Sequence, residues 1–148
     1  MKKQNSKKEP QYIFIGSIDL FASRLVENIG EIASNVGWSP VKEVLLASKI
    51  MLKQESIITQ QVVHQDGIST VFIIQVGNQN GAPIEAIEYA GEEIVEKLTE
   101  TGPDSVPTRF VVVCPIISEN VVKMSQKRKI PLSFLMVNND LCTYWESI

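Results

Sequence analysis

The residues best suited to chemistry are few. The only histidine, His64, stands two positions before Asp66, and Glu43 lies upstream in an otherwise apolar segment. An imidazole and two carboxylates are the side chains that hold a divalent ion or move a proton, so Glu43, Asp66 and His64 form the candidate catalytic set, and ion-activated hydrolysis is its candidate reaction. A metal site needs three or more converging ligands, and Asp66 is followed by Gly67, a pair that a tight turn favours by itself. We therefore expect no bound metal, and Asp66 is accounted for by the turn. A single histidine builds no Ser-His-Asp arrangement with a recognisable order. Neither Cys114 nor Cys142 lies in a Cys-x-x-Cys pair or beside groups that would lower a thiol pKa. Gly16-Ser17 and Ser118 each stand where a helix N-terminus could hold phosphate, but one glycine is not a dinucleotide fingerprint and no Gly-Lys-Ser/Thr follows. Helix capping is the simpler role for both serines. This inventory implies no cofactor and is thin for an enzyme.

The elements that would position these residues follow from periodicity. Tyr12–Ile15 reads as a first strand, and Ile18, Phe21, Leu25, Ile29, Ile32 and Val36 recur at helical spacing up to Gly37. Ser39-Pro40 then looks like the cap and first residue of a second helix, with Val41, Val44, Leu45 and Leu52 on its inner stripe. Asp66-Gly67 between two β-rich runs predicts a hairpin with a two-residue turn, pairing His64 with Ser69 and Val62 with Val71. Gln60 and Gln75 take positions in it that can face inward. A third helix follows Pro83, bearing Ile84, Ile87, Ala90, Ile94 and Leu98 on one side. Arg109–Pro115, a helix from Ser118 to about Arg128, and the strand from Pro131 make a βαβ unit; residues 141–147 read as a final edge strand. The expectation is an α/β fold: one three-layer domain over residues 11–148, a mixed sheet with helices on both faces in the order β-α-α-β-β-α-β-α-β-β.

With 148 residues, 44% of them hydrophobic and 21% charged, the chain has ordinary globular composition. No apolar run approaches the roughly 20 residues that span a bilayer, and the start MKKQNSKKEP has no apolar leader core. We expect a cytoplasmic protein without membrane association, free thiols, and a disordered basic tail over residues 1–10. Lys2, Lys3, Lys7 and Lys8 in that tail leave the remainder more acidic than the net charge of −3 indicates. Nothing resembles the basic footprint of a duplex-binding protein, so nucleic acid stays a possible partner without positive support.

Two features suit protein contact. Glu85, Glu88, Glu92 and Glu96 fall on one face of the third helix, where like charges repel and a basic partner would be attracted. Tyr144 and Trp145 lie on the final strand, which as an open edge could accept a partner strand or self-associate. These point to a non-enzymatic protein-interaction module, an adaptor or subunit of a larger assembly.

The alternative comes from a resemblance. WSPVKEVLLASKIMLK followed by ITQQVVHQDGISTVFIIQVG, a helix and the βαβ segment resembles the core order of the restriction-endonuclease-like superfamily, over residues 38 to about 137. That resemblance implies Glu43 on the first helix, Asp66 in the sheet, and a Glu-x-Lys where this chain has Gln75-Val76-Gly77. It also implies a three-stranded meander, of which the sequence reading supplies two strands. The missing carboxylate and lysine imply a nucleic-acid-processing domain of degenerate type.

Overall fold

The apolar stripe from Phe21 to Ile32 folds as two helices, α1 (Ile18–Ser23) and α2 (Leu25–Val36), in a computed structural model that describes residues 6–7, 18–52, 55–76, 84–99, 107–115, 119, 123, 126, 132–137 and 142–146. The break falls at Arg24. Its N–H is shared between the Leu20 and Phe21 carbonyls, each at 3.1 Å, while Ser23 Oγ donates to Leu20 O at 2.9 Å and competes with the regular ladder. Gly37 ends α2 as expected. Its φ of 86° is the left-handed conformation a helix C-terminus uses, and the N–H groups of Gly37 and Trp38 both donate to Ala33 O. That reversal sends Trp38 onto the apolar core.

The remaining elements are β1 (Ser6–Lys7), β2 (Val41–Val44), β3 (Ser48–Leu52), β4 (Glu55–His64), β5 (Ser69–Val76), α3 (Ile84–Thr99), β6 (Thr108–Cys114), β7 (Leu132–Val137) and β8 (Cys142–Glu146). They make one mixed sheet ordered β1-β8-β7-β6-β5-β4-β2, with β3 also on β4. β5, β6 and β7 are parallel; the other pairs are antiparallel. Between β6 and β7 the described residues Glu119, Lys123 and Gln126 are helical and exposed, as the βαβ reading requires. The sheet is buried on both faces. On one, Phe21, Leu25, Ile29 and Ile32 pack over Val62, Phe72, Val111 and Leu135; on the other, Ala86, Ile87, Ala90 and Ile94 of α3 pack over Ile57, Val71, Ile73 and Val112. The three-layer α/β architecture is thus the expected one. Ile84, assigned to the inner stripe of α3, is 43% exposed.

Two local expectations are overturned. The segment after Pro40 is not a helix: it forms β2 and β3, both antiparallel to β4. Its apolar residues fit helical spacing, but β4 runs for 10 residues and would otherwise leave a long unpaired ladder beside β5. Cross-strand pairing overrides the local period. Glu43 consequently lies on a strand, opposite Val63, and β2 and β3 provide the third line of a meander with β4 and β5.

The hairpin register is also shifted by one. His64 N–H donates to Ile68 O and Gly67 N–H to His64 O, so Gln65-Asp66-Gly67 is a three-residue loop with Gly67 at φ 89°. This is a turn completed by one left-handed residue, where a two-residue type I′ turn would need two. Val63 now pairs with Ser69, Val62 with Thr70 and Gln60 with Phe72. Because strand side chains alternate, the shift changes which β4 and β5 residues share a face.

The expected strand Tyr12–Ile15, Gly16-Ser17 and Ser118 lie outside the described residues.

Candidate functional site

At the hairpin end of the α1–α2 face, Trp38, Ser39, His64, Thr70 and Arg109 converge. The α2 C-terminus delivers Trp38 and Ser39, while the register sets Thr70 beside Arg109 and Val41 beside His64. His64 is buried, at 1% exposure, with both ring nitrogens engaged. Nδ1 lies 2.8 Å from Ser39 O, which can only accept, so Nδ1 carries the proton. In that tautomer Nε2 accepts from the Thr70 hydroxyl at 2.7 Å, and Thr70 Oγ1 accepts from Arg109 Nη1 at 3.1 Å. The guanidinium sits 4.5 Å over the Trp38 ring, a cation–π contact, and Trp38 meets His64 edge-on at 5.8 Å. Both ring nitrogens and the Thr70 hydroxyl are engaged in this chain. It leaves His64 no lone pair or proton for a substrate.

The other candidate catalytic residues do not join it. Asp66 is exposed in the loop, where Oδ1 accepts the Ile68 N–H at 3.1 Å, a local Asx turn. Glu43 is exposed on β2. Among the described residues, no three of the types His, Cys, Asp and Glu are grouped to hold a metal ion. Gln75, at the position where the resemblance expects a carboxylate, is buried on the α3 face, and its Oε1 accepts the Ala86 N–H at 3.1 Å. Ala86 stands in the first turn of α3, whose N–H groups lack partners within the helix, so a neutral amide here serves to seat the helix on the sheet.

A different feature occupies the sheet edge next to it, beyond β4. Among the described residues no strand pairs with the outer side of β2 or β3. This edge exposes large apolar side chains: Leu46 is 97% exposed, Met51 65% and Val44 43%. Between β2 and β3 the ladder is interrupted. Leu45 N–H still donates to Gln61 O, but Leu45 O takes its hydrogen bond from the side chain of Gln60, whose Nε2 also reaches Gln61 O at 3.2 Å. Gln60 is buried at 3% exposure, and its Oε1 has no donor among the described residues. It lines a cleft of about 340 Å³ with Ala22, Ser23, Arg24, Leu25, Val26, Glu27, Ala47 and Ile58. The cleft exists because the α1–α2 break and the β2–β3 interruption lie over the same part of β4.

Of the acidic residues on α3, Glu88, Glu92 and Glu96 are exposed and Glu85 is half-buried. Their field is visible at Tyr89: burial, then the hydrogen bond and charge of Glu93, then Glu96 and Glu92 push its hydroxyl up to about 12. The final strand is not the sheet edge expected of it, because β8 lies between β7 and β1, with Trp145 opposite Lys7. Ser6 and Lys7 of the basic tail thus form a strand. Cys114 is a free, fully buried thiol pushed up to about 12 by that burial. β7 separates its strand from that of Cys142, roughly twice the 4.8 Å strand spacing and beyond disulfide reach.

Sequence reading alone passes over Trp38, Ser39, Thr70 and Arg109. Trp38 was accessible, since an aromatic immediately after a helix-ending glycine commonly folds back on the helix. Arg109 gives no such sign, because its partners come from other strands.

No protein-family model matches this chain, and no curated protein matches its sequence. One solved structure, described as the structure of EndoMS in apo form, superimposes with a TM-score of 0.49 at 17% identity, over 78% of this chain and 45% of that one. The chain therefore spans less than half the length of that protein. No helix of the described residues is long and apolar enough to cross a membrane.

Proposed function

We propose that this protein is a non-enzymatic interaction module, a subunit or adaptor that receives an extended segment of a partner protein on the β2–β3 edge. The supporting observation is the open edge carrying Val44, Leu46 and Met51 in exposed positions. Sheet edges are ordinarily blunted by charge, proline or cover, because an unpaired ladder recruits other strands. Here Lys42, Glu43 and Lys49 supply some charge, yet Leu46, a large apolar side chain, is 97% exposed. Strand addition would satisfy the ladder and cover these side chains together. The exposed glutamates of α3 lie on the far sheet face and favour approach of a partner with basic surroundings.

Panning a random peptide library against the purified protein tests this. Selected peptides are expected to perturb backbone amides of residues 41–52 and to lose affinity for Leu46→Lys. Binders that map elsewhere, or that ignore this substitution, would overturn the proposal.

The second reading, a degenerate nucleic-acid-processing domain, has one observation in its favour: the third meander strand that the resemblance implies is present. The engaged His64, the turn-bound Asp66 and the amide at Gln75 weigh against it. Metal-dependent cleavage of DNA or RNA that disappears in Asp66→Ala would establish it.

A further inference from the structure

We propose that the cleft between the α1–α2 junction and β4 is a binding site for an indole ring, the side chain of a tryptophan presented by the partner protein, with Gln60 Oε1 accepting the indole N–H. This rests on the interaction reading of the β2–β3 edge and names the anchor next to it. A buried carboxamide normally satisfies both ends, since an unpaired buried acceptor costs about 1–3 kcal/mol. The amide orientation of Gln60 is fixed: its nitrogen faces Leu45 O and Gln61 O, both of which only accept, so the oxygen is the end left over.

What completes the site must bring a donor. The other polar groups of the wall make no such demand, because they are open to water: Ser23 donates its hydroxyl proton to Leu20 O, and Arg24 and Glu27, 56% and 71% exposed, pair at 3.4 Å. The rest of the wall is Ala22, Leu25, Val26, Ala47 and Ile58, which asks for an apolar body. Among uncharged protein side chains indole combines an apolar body with a donor and no acceptor, and Arg24 in the wall disfavours a cationic one. A volume of about 340 Å³ lies at the small end of ligand sites and accommodates one such ring. The position is also suitable: by register Val44 and Met51 lie on the same sheet face as Ile58 and Gln60, so a strand added at the edge could direct a side chain into the cleft.

The test is an NMR titration of the intact protein with indole and, separately, 1-methylindole, which keeps the shape and lacks the donor. Indole is expected to shift the signals of Leu25, Ala47 and Ile58 and the Gln60 side-chain amide, and methylation should weaken binding about fivefold, the worth of one hydrogen bond. Ala47→Leu, at an exposed rim position, should weaken both probes without unfolding the protein. Equal binding of the two probes, shifts confined to other regions, or no shift at millimolar concentration would overturn the assignment. Library peptides that still map to residues 41–52 would then show that the anchor alone was wrong; their failure would remove the edge reading itself.

Discussion

The hairpin end and the β2–β3 edge both bury polar side chains, and they differ in how completely those side chains are satisfied. At the hairpin end Arg109, Thr70, His64 and Ser39 O form a directed chain of three hydrogen bonds that engages both ring nitrogens of His64, closed over by Trp38. At the edge Gln60 uses its nitrogen to repair an interrupted strand, and its oxygen has no donor among the described residues. A satisfied buried network fixes one packing of a core, whereas an unsatisfied group costs free energy until something binds it. The difference teaches that the chemically rich residues of this protein hold the fold together, while an amide of no catalytic reputation marks the place prepared for a ligand.

This contrast can be broken from either side. The largest effect is expected from His64→Ala, which leaves Ser39 O and Thr70 without their partner and opens a void beneath Trp38: thermal or urea unfolding should register a loss of about 3 kcal/mol, while library peptides bind the folded variant as before. Loss of peptide binding without loss of stability would reverse the assignment of the two regions.

Alkaline pH comes next. Cys114 is pushed from an ordinary 9.0 to about 12, so between those values the unfolded chain gives up a proton that the folded one keeps. Its contribution is complete below about pH 9 and lost as pH rises through the window, on the order of 2 kcal/mol by about pH 11. Tyr89, raised from 10.0 to about 12 but largely solvated, adds a smaller loss of the same sign. Cys114→Ala should flatten the stability profile above pH 9 in denaturant titrations, and the native thiol should resist alkylation.

Gly67→Ala should cost about 1 kcal/mol, because a Cβ is strained at φ 89° although the surrounding space is open. An unchanged urea midpoint would argue against the three-residue loop and its register. The smallest stability effect, within about 0.5 kcal/mol, is expected from Leu46→Lys on the exposed edge.

Legibility in the sequence followed the range of the interactions. Gly37, the burial of Phe21, Leu25, Ile29 and Ile32, that of Ile87, Ala90 and Ile94 on α3, and the βαβ unit all depend on local period or capping, and each is readable, whereas Ile84, at the helix start, is not buried as its period implies. The strands at 41–44 and 48–52 were not, because their apolar spacing also fits a helix and only the ladder of β4 decides between them. The hairpin was recognised but misregistered, since Asp-Gly serves both two- and three-residue loops. That error hid the site: one residue of slip paired His64 with Ser69 and Gln60 with Ile73, whereas the observed register places Gln60 with Phe72 on the α1–α2 face. Gln60 is legible as inward-capable, but the engagement of its nitrogen, which leaves its oxygen without a donor among the described residues, follows from an interruption at 45–47 that no local pattern announces.

The most direct measurement is an amide chemical-shift map of the wild-type protein with a peptide selected from the library. The account predicts perturbations concentrated in residues 41–52, with the hairpin residues 64–70 unmoved, and their disappearance in Leu46→Lys. Perturbations centred on His64, Thr70 and Arg109, surviving that substitution, would contradict it.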